Sequence, residues 1–296
     1  MRVKNWDYRE QRERINDGYT LRSFTLFDSH RVPQHDAFNR AFMRLTPETM
    51  QSLNQAVVQA AVQLSLEDGK KLRVDTTVVE TDIHYPTDAT LLWDVVRTLT
   101  RIVGELHEQL PKGVKGFTNR TKSARRRMQE IERMTASQRH HQQTPKYVEL
   151  LSITGNVVAD ARRVAANAQR VKRVDAVTAA KILSLCQQIG HYGKLADQVI
   201  DQTRRRVLEG EQVPTEAKVY SIFEPHTDLI KRGKKLKPVE FGHKVFLAES
   251  AHGLITDYQV LTGNPADSNH VQASLERHKE TFWLRSGSLC RGPRVS

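Results

Sequence analysis

Arg73-Val74-Asp75-Thr76-Thr77-Val78-Val79-Glu80 runs into Thr81-Asp82-Ile83-His84-Tyr85-Pro86-Thr87-Asp88, and the reading of this stretch decides the fold. The first half is β-branched with a period of two. Leu72, Val74, Thr76 and Val78 would share one face of a strand, and Arg73, Asp75, Thr77 and Val79 the other. An aspartate inside a Val/Thr strand is disfavoured by propensity and by burial. A bound cation is one way to offset that cost. The second half ends in a helix start, with Thr87 as cap. The helix predicted from about Asp88 to Leu110 carries an apolar stripe of Leu91, Leu92, Val95, Leu99, Ile102, Val103 and Leu106. Pro111-Lys112-Gly113 stops it.

Upstream, residues 1–66 read as a small helical unit. Asp7 caps a helix from Tyr8 to Ile15, ended by Asn16-Asp17-Gly18. His35 to Arg44 is a short helix with Phe38 and Phe42 on one side and Arg40 and Arg44 elsewhere. Thr46-Pro47-Glu48 opens another, with a stripe of Leu53, Val57, Ala60 and Leu64. The pattern suits a DNA-binding helix-turn-helix and an ordinary helical bundle equally. Downstream, residues 111–213 are helical in pattern throughout and read as a helical insertion. Cys186 and Met128 are packing residues there. Pro214 begins a connector. Lys231-Arg232-Gly233-Lys234-Lys235 opens a basic loop. Gly242 to Ala248 and Ile255 to Leu261 then form an antiparallel hairpin, and a last helix runs from about His270 to Thr281.

The chain has 296 residues, 27% of them charged, and a formal net charge of +12. Its pI is near 9.8. That balance points to a polyanionic partner, DNA before others. The basic residues cluster: Lys112, Lys115, Arg120, Lys122, Arg125, Arg126 and Arg127 form a run without an acid, and Lys231, Arg232, Lys234 and Lys235 a shorter one. Phosphate contact and a solvated face are the two readings of such runs. Arg204-Arg205-Arg206 reads as a helix C-terminal run facing water. Two isolated cysteines make neither a disulfide framework nor a zinc ribbon. No apolar run is long enough for a membrane span, so a cytoplasmic, nucleoid-associated location without membrane contact is expected.

The Asp75 block, Gly242-His243-Lys244-Val245 with its hairpin, and Gly263-Asn264-Pro265-Ala266-Asp267-Ser268 together resemble insertion-sequence transposases of the DDE type. The nearest group is the one filed as not classified yet, ISNCY. The resemblance covers the chain to about Phe282 and implies an α+β, α/β-like fold. In it an RNase H-like mixed sheet is interrupted by the helical insertion and preceded by an N-terminal DNA-binding domain. It implies segments 67–110 (first strand and following helix) and 214–282 (hairpin and helix) as parts of that core. It further implies cleavage and strand transfer at element ends, terminal inverted repeats as the DNA partner, and Mg2+ or Mn2+ held by three carboxylates, of which Asp75 matches the first. Homo-oligomers or a full-length transposase are the implied protein partners.

In the family, the second aspartate lies in a pattern like Ala-x-Asp-Arg-Gly-Phe/Tyr. Residues 283–296 do not carry it, and they read as an unstructured tail. A one-base shift across Cys290 to Ser296 permits that motif through codon degeneracy. The expectation is therefore a truncated, frameshifted copy without catalysis, its sheet incomplete. Such a copy still binds DNA and inhibits a full-length enzyme, or else serves as a basic helical scaffold.

Overall fold

The structure is a computed structural model, and it describes residues 6–111, 115–171, 174–231 and 238–284. It mixes helices with a small antiparallel sheet, an α+β arrangement. The chain divides into two compact units. One comprises residues up to 75, 247–258 and from 268 onward; the other comprises 76–246 and 259–267.

In the first unit, α1 (Tyr8–Asp17) starts where Asp7 accepts from the backbone N–H of Arg9 and Glu10, each at 2.8 Å. It packs on α2 (Tyr19–Phe24) and α3 (His35–Phe42). Ile15 and Val32 are buried, and Phe27 meets Phe38 edge to face. Thr46 caps α4 (Pro47–Gln63), with proline in the first turn as the sequence predicts. The buried side of α4 is different from the predicted stripe. Val58 is fully buried, whereas Leu53, Val57 and Leu64 are 53%, 56% and 69% exposed. Alanine and valine occur all round this helix, so its period does not single out one face. The sheet side is instead marked by Asn54, whose side chain donates to Thr256 O.

The strand β1 (Leu72–Glu80) alternates as predicted, with even-numbered residues half-buried and odd-numbered ones exposed up to Val79. It lies beside β3 (Val239–Ser250), which also pairs with β2 (Asp228–Lys231) and with β4 (Ile255–Leu261). In the β2–β3 pair, Asp228 stands opposite Gly242 and Lys231 opposite Val239. The β3–β4 turn is closed by Ser250 N–H donating to Leu254 O, with Gly253 at φ +82°. After β4 comes α9 (Ser268–Lys279), which belongs to the first unit. There His278 shares a 2.8 Å hydrogen bond with Gly69 O, and Arg277 reaches Asp257.

The main apolar core is helical and lies in the second unit. The helix α5 (Asp88–Gln109) begins at a reciprocal Thr87–Thr90 cap. It packs on α6 (Thr121–Glu132), α7 (Ala136–Ala168) and α8 (Ala176–Thr203). Leu92, Leu99, Ile102 and Leu106 of α5 are at most 1% exposed, and Leu150 and Ile189 close over them from α7 and α8. Segment 88–110 thus shares its core with segment 121–203. Cys186 and Met128 pack there, as read from the sequence.

Candidate metal-binding and nucleic-acid-binding residues

Asp75 stands on the exposed face of β1. The burial cost invoked for it from sequence therefore does not arise, and only the weaker strand-propensity cost remains. On the same face Arg73 forms an ion pair with Glu249 of β3. A two-metal centre needs several carboxylates converging within a few ångströms. Among the described residues no group of three or more His, Cys, Asp or Glu side chains is placed to hold a metal ion. The donors present at Asp75 do not by themselves fit a pair of Mg2+ or Mn2+ ions. Residues 285–296, on which the frameshift reading falls, lie outside the described residues.

The Gly263–Ser268 stretch has a clear physical role. Gly263 N–H donates to Asp228 Oδ2 at 2.9 Å, and the Asn264 side chain donates to Lys231 O at 3.1 Å. The Lys244 ammonium lies 2.7 Å from Pro265 O and 2.6 Å from Asp267 Oδ1, and Thr76 Oγ1 donates to Asp267 Oδ2 at 3.0 Å. Three strands thereby hold this connector down. Asp267 is the acceptor for both Lys244 and Thr76. The partners of such a turn lie far off in sequence, so the motif alone does not disclose them.

Two further clusters carry titratable groups. Asp94 is buried on α5 and accepts from His84 Nε2 and Arg97 Nε, each at 2.7 Å. Arg97 also lies over the Phe223 ring at 5.0 Å. Burial disfavours the His84 imidazolium, yet the Asp94 hydrogen bond and the Tyr85 carbonyl prevail and raise its pKa. The cluster pins the segment after β1 onto α5. Elsewhere His226 Nδ1 and His243 Nε2 are 2.8 Å apart, so one ring donates to the other, and His226 Nε2 pairs with Glu224.

The basic residues predicted to touch DNA divide into two groups. Arg120 is bound to Asp160 at 2.6 Å, and Arg127 to Glu130 and Glu149. These two guanidiniums tie α6 and its preceding loop to α7. Lys122, Arg125 and Arg126 point outward from α6, opposite the buried Ala124 and Ile131, and Lys115 is exposed just before the helix. Of these, only Arg126 touches an acid, Glu130 at 3.8 Å, among the described residues. In the first unit Arg40 is exposed and paired with Asp36 one turn away, and Arg44 is exposed. Lys231 is exposed at the end of β2. Lys112, Arg232, Lys234 and Lys235 lie outside the described residues. Arg206 departs from the predicted water-facing run, since it binds the buried Asp88 carboxylate at 2.7 Å.

Among the described residues no helix is long and apolar enough to cross a membrane. No family model, curated protein or solved structure matches this chain.

Proposed function

We propose that the chain is a DNA-binding protein of the insertion-sequence transposase kind, acting in the cytoplasm at the nucleoid. The observation that carries this reading is the outward face of α6. Lys122, Arg125 and Arg126 sit at i, i+3 and i+4, hence side by side, with Lys115 preceding them. On a chain of net charge +12, such a row suits the phosphate backbone. It would position DNA without reading its sequence. Arg40 of α3 and Arg44 in the turn after it supply a separate basic set for terminal inverted repeats.

The RNase H-like reading of the sheet draws support from the strand order. The strand bearing Asp75 lies next to a long antiparallel strand, which turns back through a hairpin. Asp75 is then the position at which an intact relative would hold Mg2+ or Mn2+ for cleavage and strand transfer. That no group of three or more metal-ligating side chains converges among the described residues favours the second reading for this chain: binding to element ends without cutting, as a homo-oligomer or in competition with a full-length transposase.

The test is a salt titration of binding to duplexes with and without terminal inverted repeats. Each phosphate contact contributes about 0.9 to the log–log slope. Changing Lys115, Lys122, Arg125 and Arg126 together to glutamine is expected to lower the slope by roughly 3–4. An unchanged slope would overturn the assignment to this face. Equal affinity for repeat-bearing and random duplexes would favour a generic basic scaffold.

A further inference from the structure

The helix α4 carries two stripes, one buried and one in water. Val58 is buried and Asn54, Ala61 and Val62 are half-buried, which marks the side turned into the first unit. Roughly a third of a turn round the helix, Met50, Leu53, Val57, Ala60 and Leu64 are all exposed. Their spacing is three, four, three, four. Met43 and Leu45 just before the helix and Leu66 just after it are exposed as well, so the stripe is apolar at both ends. A helix that packs only on its own core shows a single apolar stripe. The second one leaves burial free energy unrealised.

Spacing, residue type and charge indicate what covers it. Apolar residues alternating at three and four occupy the a and d positions of a heptad, the seam along which two helices pack knobs into holes. Met50, Val57 and Leu64 fall at a, and Leu53 and Ala60 at d. A β-branched residue at a with leucine at d favours two strands. Such a seam is self-complementary, so one patch serves both sides of a two-fold axis. Residues 45–66 carry a single charge, Glu48, in a chain of which 27% is charged. The e and g positions beside the seam, Asn54, Ala56, Ala61 and Gln63, are neutral. Two copies of a chain of net charge +12 therefore meet here without like charges face to face.

We propose that α4 is a self-association face, on which a second copy of this chain lays its own α4 about a two-fold axis. This gives a surface to the homo-oligomer of the preceding reading and rests on that part of it, not on DNA. The helix has 17 residues, hence about 25 Å of seam. So short an interface belongs to the low end of specific contacts, below about 1,200 Å², and the dimer dissociates at roughly micromolar to tens of micromolar concentration. Added salt screens the repulsion between the two cationic chains and tightens the dimer, whereas it weakens phosphate contacts.

The experiment is sedimentation velocity of the nuclease-treated full chain, from about 1 to about 200 μM, at low and at high salt. A monomer–dimer equilibrium that strengthens with salt is expected. Leu53→Gln combined with Val57→Gln should weaken it at least about tenfold. Both side chains are exposed, so the melting of dilute protein should stay unchanged. In a Cys290→Ser background, Val57→Cys should oxidise to a disulfide-linked dimer, because residue 57 is central in the stripe and lies near the axis whichever way the helices run. Gln55→Cys, on the opposite side of α4, should not. A monomer at every concentration would overturn the proposal and leave another chain as the occupant of the stripe. Association that the double variant leaves unchanged, or equal cross-linking through positions 55 and 57, would overturn the face. No DNA is present, so failure here leaves the DNA-binding reading standing, and loss of DNA binding leaves the dimer standing.

Discussion

Arg206 and Asp88 lie 118 residues apart in sequence and meet at 2.7 Å. Burial raises the Asp88 pKa, and Arg206 works against that rise. Its ionised form is thus less comfortable folded than unfolded, and stability falls as pH climbs from the unfolded value, about 3.9, through the raised one. Arg206→Met removes the opposing charge. Urea unfolding at neutral pH should show a loss of about 1–3 kcal/mol. The loss should shrink as pH falls below about 3.9, where Asp88 becomes protonated in both states; a pH-independent loss would mean that packing dominates. Cys186 offers a cleaner probe, since burial pushes its thiol pKa up. In a Cys290→Ser background, an aromatic disulfide reagent should label Cys186 only along the unfolding curve. Local signals at this scale were legible: Asp7, Thr46 and Thr87 cap helices as their positions in the chain foretell. The ion pair of Arg206 was not legible, because nothing near residue 206 announces a partner at 88.

Element by element, hydrophobic period worked where one face dominates and failed where it does not. The α5 stripe is buried as read, and Leu99→Ala at its centre should cost about 2–5 kcal/mol in chemical denaturation. On α4 the two readings predict opposite results. The structure expects Leu53→Gln to change stability by no more than about 0.5 kcal/mol, as at other surface sites. It expects Val58→Ala to cost roughly 1–3 kcal/mol; the reverse ranking would restore the periodic stripe. The long helix α7 also continues through Pro145, where local rules favour a break. Tyr147, Leu150 and Leu151 just beyond it are buried in the bundle, and that packing outweighs the lost hydrogen bond. In the sheet, Gly242 is required by proximity: a Cβ there would overlap the Val79 carbonyl of β1. Gly242→Ala should therefore lower the melting temperature by several degrees, although the residue lies in a strand. The short β2 escaped the sequence reading because its four residues carry no alternation of their own.

For the molecule as a whole, the mixture of helix and strand was evident from the alternation around Asp75 and the stripes after it. The placement of the principal core was not. Sequence order sets α5 beside β1, whereas its apolar side is shared with helices arriving up to 115 residues later, which only tertiary packing reveals. The chain also leaves its first unit at Asp75 and returns at Leu247. Until then Glu67 lacks the Ser250 hydroxyl that donates to it, and the Gly69 carbonyl lacks His278. At roughly 5–20 residues per second, a ribosome takes about ten to thirty seconds to supply the missing segment. The amino-terminal quarter must wait through that interval half-assembled, with the helical bundle free to mature first, so nascent chains stalled before residue 250 should be cut by protease mainly within their first 75 residues.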